Sequence, residues 1–312
     1  MTSDEPDDWM VVVPTRGDAA SALRIGDNIA GRIDAVPVMV VRNGAVSGEA
    51  AWASLIRRPH VEVVDRQGGG VSRARNAVLD AAPARTVVFV DDDVIVSEPA
   101  LRTLVARQRA SGATISTARV LPADAQHHGL FDTDLGFDRG ENDGIWRTDA
   151  DETPVGPLDV WQMGVGATFA VDLPLLDAGP ATVRFDERLS NGRFCGGSED
   201  VDFFYAAYHL GHVVTYVAEA VVGHVFPASS AAVSAKCRQY ALSDGAFYAK
   251  WAGHLSSADL HGEVTGWLGR IAKGAADRAR GRPAVPVTGL LAEPLYKLVG
   301  GLTWTLFRRQ SS

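Results

Sequence analysis

The feature that most restricts this chain is the stretch at residues 86–93, which reads TVVFVDDD. Residues 86–90 suit a buried strand, yet they end on Asp91, Asp92 and Asp93, and apolar residues resume at Val94. Three adjacent charges repel one another and resist burial. The fold must therefore deliver a core strand to a place where its last residues leave the core. In extended chain, successive side chains point to opposite faces. Asp91 and Asp93 then share one side and Asp92 takes the other. Two carboxylates on one side can share a divalent cation, and oxygen donors select Mg2+ or Mn2+.

The surrounding residues alternate strand and helix signals. Strands are predicted at 10–14, 36–41, 61–64 and 86–90. Between them, Ala22, Ile25, Ile29 and Ile33 recur at helical spacing, Trp52, Leu55 and Ile56 mark a second helix, and Ser72 is a plausible N-cap for a third through Ala82. Leu101, Leu104 and Val105 stripe a fourth helix. This order implies an α/β fold with a Rossmann-like, mostly parallel sheet and helices on both faces. Ligands in such sheets sit beyond the carboxyl ends of the strands, where the three aspartates lie. A further strand is expected at 165–171 and another at 213–217, and residues 228–312 read as mainly helical.

With 312 residues, 46% of them hydrophobic, the chain can bury a sizeable core. Its net charge of −8 argues against a nucleic-acid partner, which would need a basic face. Cys195 and Cys237 form no C-x-x-C pair, so a zinc site is not expected. The opening MTSDEPDDW lacks the basic and apolar regions of a signal peptide, which reads as cytoplasmic. No apolar run is long enough to span a bilayer. Residues 285–309 come nearest, but Pro286, Glu293, Pro294 and Lys297 interrupt them and Arg308-Arg309 follow. That segment suits either peripheral contact with the cytoplasmic face of a membrane or a helix packed on the protein's own core.

Regularity lapses at 123–162, an acidic, glycine-rich stretch in which Phe131, Phe137, Trp146 and Trp161 supply apolar surface, as in a substrate loop. Ten acids face two arginines, Arg139 and Arg147, over 124–159, which would favour a cationic acceptor such as an aminosugar. Residues 196–202, GGSEDVD, form a glycine-rich turn into a helix carrying Val201, Phe204, Tyr205 and Tyr208 on one face. Ser198 is its expected N-cap and Gly211 its stop. Glu199 and Asp200 then sit in the first turn, where the helix dipole favours negative charge and where a general base could be presented to a cleft. His224 closes a strand and could add one nitrogen to the two carboxylates, tilting the ion toward Mn2+. Three rival motifs fail: Ile95 stands where a D-D-x-x-D site needs an acid, no P-loop is present, and PTRGDAAS follows the first strand in place of G-x-G-x-x-G.

Taken in order, VVVPTR, GGGVSRARNAVLDAA, FVDDD, FDERL, GGSEDVDFFYAAYHLGH and AVVGHV resemble the motifs of family-2 glycosyltransferases of the GT-A fold, over about residues 10–225. The resemblance implies a GT-A domain at 1–225, with a nucleotide-sugar half at about 10–110 and an acceptor half at about 111–225, and a C-terminal helical extension at 226–312. It implies that Asp91 and Asp93 hold a metal, Mn2+ or Mg2+, on the donor diphosphate, with His224 as a third ligand. It places Pro14, Thr15, Arg16, Asn43, Arg75, Asn76, Asp91 and Asp92 at the nucleotide sugar. Asn43 stands where relatives usually carry Asp. Asp200, beside Glu199, matches the catalytic base.

The implied reaction is inverting transfer of a sugar from a UDP-, dTDP- or GDP-sugar to a hydroxyl on a glycan, a lipid-linked sugar or a small natural product. A retaining transferase and a non-catalytic sugar-nucleotide-binding protein are the alternatives. A glycoside hydrolase with paired carboxylates would need neither metal nor nucleotide.

Overall fold

The computed structural model describes residues 8–66, 68, 70–123, 138–148, 155–179, 181–190, 196–226, 229–281 and 287–307. Expectations attached to Phe131, Phe137, Cys195 and Arg308-Arg309 lie outside these residues. Strand β1 (Trp9–Thr15) leads to helix α1 (Ala19–Ile25), which continues through a wider turn at Gly26–Ala30. Then come β2 (Val38–Arg42), α2 (Glu49–Ile56), β3 (Val61–Asp65), α3 (Gly70–Ala81) and β4 (Thr86–Val90). Next are β5 (Val94–Ile95), α4 (Glu98–Ser111), β6 (Ile115–Pro122), β7 (Gly144–Trp146), β8 (Thr168–Asp172) and α5 (Leu173–Asp177). The chain continues with α6 (Glu199–His209), β9 (Val214–His224), α7 (Ser230–Lys250), α8 (Ser257–Ala279) and α9 (Val287–Phe307).

Among the described residues the strands form one sheet in the order β3-β2-β1-β4-β8-β6-β9-β5, with β7 also on β9. The four strands β3-β2-β1-β4 are parallel, as their βα alternation requires. Beyond β4 the sheet is mixed: β8 runs antiparallel to both β4 and β6, and β9 is parallel to β6. Alternation along β1 covers the sheet twice. Trp9, Val11 and Val13 enter a core with Ile25, Ile29, Trp52, Leu101 and Leu104. Met10 and Val12 enter the opposite core with Val78, Phe89, Phe169 and Phe204.

Two local expectations shift. Helix α3 begins before Ser72, which is fully buried and gives its backbone N–H to Ser190 Oγ at 3.1 Å instead of capping the helix. Residues 164–167 stay out of β8: Gly164, at φ 103°, turns the chain so that Gly166 and Ala167 reach the end of β4.

The C-terminal helices dock onto this body. Phe247 of α7 joins the aromatic core of α6, and Lys250 Nζ donates to Asp186 at 2.8 Å and Asp202 at 2.7 Å. Helices α7 and α9 meet backbone to backbone. A Cβ on Gly245 would overlap the Lys297 carbonyl, and one on Gly300 would overlap that of Leu242. Among the described residues, no helix is long and apolar enough to cross a membrane.

Candidate active site

A cleft of about 1050 Å³ opens beyond the carboxyl ends of β1, β2 and β4. Its floor is the end of β4, where each aspartate takes its own direction. Asp91 Oδ1 accepts from Arg75 Nη2 at 2.7 Å. Asp92 turns back toward β1: Thr15 Oγ1 donates to it at 2.6 Å and Arg24 Nη2 at 3.3 Å. Asp93 faces His224, with Oδ1 and Nε2 3.5 Å apart. The short strand β5 makes that approach, because Val94 pairs with His224 itself.

Arg75 is the hub beneath this floor. Its side chain is 2% exposed, and besides Asp91 it donates to Glu199 Oε1 at 3.3 Å and to the Gly166 carbonyl at 3.3 Å. The guanidinium also lies between the rings of Phe169 and Phe185, 5.3 Å from each centroid. It therefore ties the β4 carboxylates to the start of α6. Loss of hydration holds both Asp91 and Asp93 above the usual carboxylate range. The same cause, reinforced by Asp200, lifts Glu199 to about 7, and it lowers His224 to about 4. At neutral pH His224 is thus a neutral imidazole.

Helix α6 carries three acids in its first turn, each with a different fate. Glu199 is buried on Arg75. Asp202 is buried on Lys250 and accepts from Trp251 Nε1 at 2.8 Å. Asp200 makes no ion pair among the described residues and lines the cleft, where the Gly166 N–H donates to its Oδ2 at 2.6 Å. A Cβ on Gly166 would strike the Asp200 side chain, so glycine is required for this contact. The turn before α6 is strained. Ser198 sits at φ 61°, where non-glycine residues are uncommon, and its hydroxyl donates to Ser243 and Asp244 of α7 rather than capping α6 as expected.

Pro14, Thr15, Arg16 and Asn43 line the end of the cleft formed by β1 and β2. Arg42, beside Asn43, is taken up by a bidentate pair with Asp65, both bonds 2.7 Å. Asn76 does not line the cleft. Its amide donates to the Phe185 carbonyl at 2.9 Å and accepts from the Phe185 N–H at 2.8 Å, pinning α3 to the segment before α6. The other eleven residues singled out from sequence, namely Pro14, Thr15, Arg16, Asn43, Arg75, Asp91, Asp92, Asp93, Glu199, Asp200 and His224, come together here.

Sequence reasoning missed the far wall. Lys236, Tyr240, Asp244 and Tyr248 of α7, with Glu263 and Arg270 of α8 and Glu293 and Lys297 of α9, line the same cleft. Lys297 pairs with Glu263 and with Glu293, and Arg270 donates to Glu293 at 2.6 Å. Burial first, and then Glu263 and Glu293, raise Asp244 to about 7 against the pull of Lys297. The spacing of Lys236, Tyr240, Asp244 and Tyr248 at every fourth residue was the available signal. Of the four acids of 124–159 in the described part, two serve the fold: Asp138 holds Arg119 at 2.8 Å, and Asp143 accepts from the Ala218 N–H at 2.8 Å.

Residues 10–130 match the family described as glycosyl transferase family 2. No curated protein matches the chain at a significant level. Among solved structures, the mannosyltransferase PcManGT from Pyrobaculum calidifontis, in complex with GDP-Man and Mn2+, superposes with a TM-score of 0.61 at 17% identity, over 96% of this chain and 87% of that one. S. aureus TarS gives a TM-score of 0.50 at 15% identity, over 95% of this chain and 54% of TarS. The likeness is one of fold: a GT-A architecture with a C-terminal helical part.

Proposed function

We propose that this chain, whose residues 10–130 match glycosyl transferase family 2, moves a sugar from a nucleotide-diphosphate donor to an acceptor hydroxyl with inversion at the anomeric carbon. The observation that carries this reading is the division of labour among the cleft carboxylates. Asp91, Asp92, Asp93 and Glu199 are held by Arg75, Thr15, Arg24 or His224, whereas Asp200 is oriented by one backbone N–H and pairs with no cation among the described residues. A carboxylate so placed can take the proton of the attacking hydroxyl.

Asp93 and His224, with Asp91 beside them, fit a divalent cation, since a carboxylate and a neutral imidazole face each other within 3.5 Å. Among the described residues no three His, Cys, Asp or Glu side chains group to hold a metal ion by themselves, so an ion at Asp93 and His224 would need donor phosphates as further ligands. Mn2+ or Mg2+ bound there supplies charge neutralisation for the departing diphosphate. On the protein's side, Arg16, Arg139 and Lys236 line the cleft and add positive charge. Pro14, Thr15 and Asn43 border the nucleotide base, which we infer to be that of a UDP-, dTDP- or GDP-sugar. Asn76 is then a positioning residue rather than a ligand of the sugar nucleotide. We take 1–225 as the catalytic body and 226–312 as the extension that closes the acceptor end with Asp244, Glu263 and Lys297.

Incubation with donor and acceptor, followed by NMR of the product anomeric proton, tests this directly. An inverted anomer supports the assignment, and a retained anomer overturns Asp200 as the base for direct displacement.

A further inference from the structure

We propose that α8 and α9 form a docking surface for an anionic lipid bilayer. The outer face of α9 carries Leu291, Leu295, Leu298, Leu302 and Leu306 at helical spacing, between 56% and 66% exposed, with Val299 beside them at 39%. Val264 and Leu268 of α8 are 54% and 52% exposed. In the part of α9 whose side chains are described, the charged residues Glu293 and Lys297 turn the other way, into ion pairs at the cleft wall. A helix facing water ordinarily shows the reverse pattern. The stripe from Leu291 to Leu306 runs about 22 Å along the helix, a length that lies flat on a membrane surface.

Charge identifies the occupant. Leaving out Arg270, Glu293 and Lys297, which pair at the cleft wall, residues 270–309 hold six Lys or Arg against one Asp, a net +5, in a chain whose total is −8. Lys273, Arg278 and Arg280 are exposed on the last turns of α8 and just beyond it, and Arg308-Arg309 follow α9 in the sequence. Apolar side chains combined with a basic cluster are the two signals that hold a protein on an anionic leaflet. A second copy of this chain would bring the same positive charge against itself, which disfavours self-pairing of this face.

The consequence for the reaction rests on the transferase reading. The inner face of α9 lines the cleft, so the acceptor end lies about one helix diameter, ~10 Å, from the docked bilayer. The acceptor class that fits is an amphiphile with a hydroxyl-bearing head.

The test is co-sedimentation of the full chain with phosphatidylcholine vesicles, and with vesicles containing roughly a third phosphatidylglycerol, without nucleotide or metal. The expected result is at least about tenfold stronger binding to the anionic vesicles, lost at high salt. The double variant Leu298→Glu/Leu302→Glu should bind at least about tenfold more weakly, with its far-ultraviolet circular dichroism unchanged. Asp200→Asn should bind as the parent does, so a failed transferase assignment would leave the docking result standing. Protein that stays in the supernatant at low salt, a double variant that binds normally, or a dimer that the double variant dissolves would each overturn the proposal.

Discussion

Asp200 and Gly166 are a matched pair. The carboxylate needs the amide at 2.6 Å, and the amide can come that close because Gly166 has no side chain. Replacing Asp200 with Asn removes the proposed base and keeps the shape, so turnover should fall at least about 100-fold while nucleotide binding persists. Gly166→Ala should also lower turnover, by displacing Asp200, with nucleotide binding again retained; steady-state assays with a thermal-shift control check both. Asp244 makes a different prediction. Its pKa of about 7 lies above the ordinary aspartate value of 3.8, so the folded chain holds a proton that the unfolded chain gives up. That contribution to stability is full below about pH 4 and is lost as pH rises through about 7. Asp244→Asn, which cannot ionise, should flatten the decline over that window, and melting curves from about pH 4 to about pH 8 would show it. An unchanged slope would remove Asp244 from the account.

Among the elements, those with local reasons to form are the ones the sequence announces. The apolar runs of β1, β2 and β4 and the stripes of α1 and α4 are legible because each buries its pattern against a neighbouring element, whereas β3 is only partly buried and Ile56 of the α2 stripe is 52% exposed. The end of β4 was legible for an electrostatic reason, since three aspartates there demand partners. Other placements depended on distant contacts. Ser198 reads as a cap, yet α7 captures its hydroxyl. Asn76 reads as part of a binding motif, yet Phe185, 109 residues away, takes its amide. The far wall of the cleft was hidden because it forms only when α7 and α9 meet at glycines. That contact is testable: Gly245→Val or Gly300→Val should destabilise the chain by about 1–3 kcal/mol through overpacking, read from denaturant melts. A neutral effect would mean that the two backbones are not in contact.

At the scale of the whole molecule, one cleft joins two parts of unlike character. The parallel half of the sheet brings β1, β2 and β4 to one side of the cleft, and the C-terminal helices supply Lys236, Asp244 and Lys297 on the other. In the proposed function the β1, β2 and β4 side holds a nucleotide diphosphate through a cation at Asp93 and His224. Thermal unfolding with UDP, dTDP, GDP and CDP, each with and without Mn2+, tests it most directly. A ligand at 100 times its dissociation constant adds about 2.7 kcal/mol, which should raise the midpoint by several degrees. Such a shift is expected with one nucleotide, dependent on Mn2+ and abolished in Asp93→Asn. A folded protein whose midpoint moves with none of the four nucleotides, or moves equally without Mn2+, would contradict it.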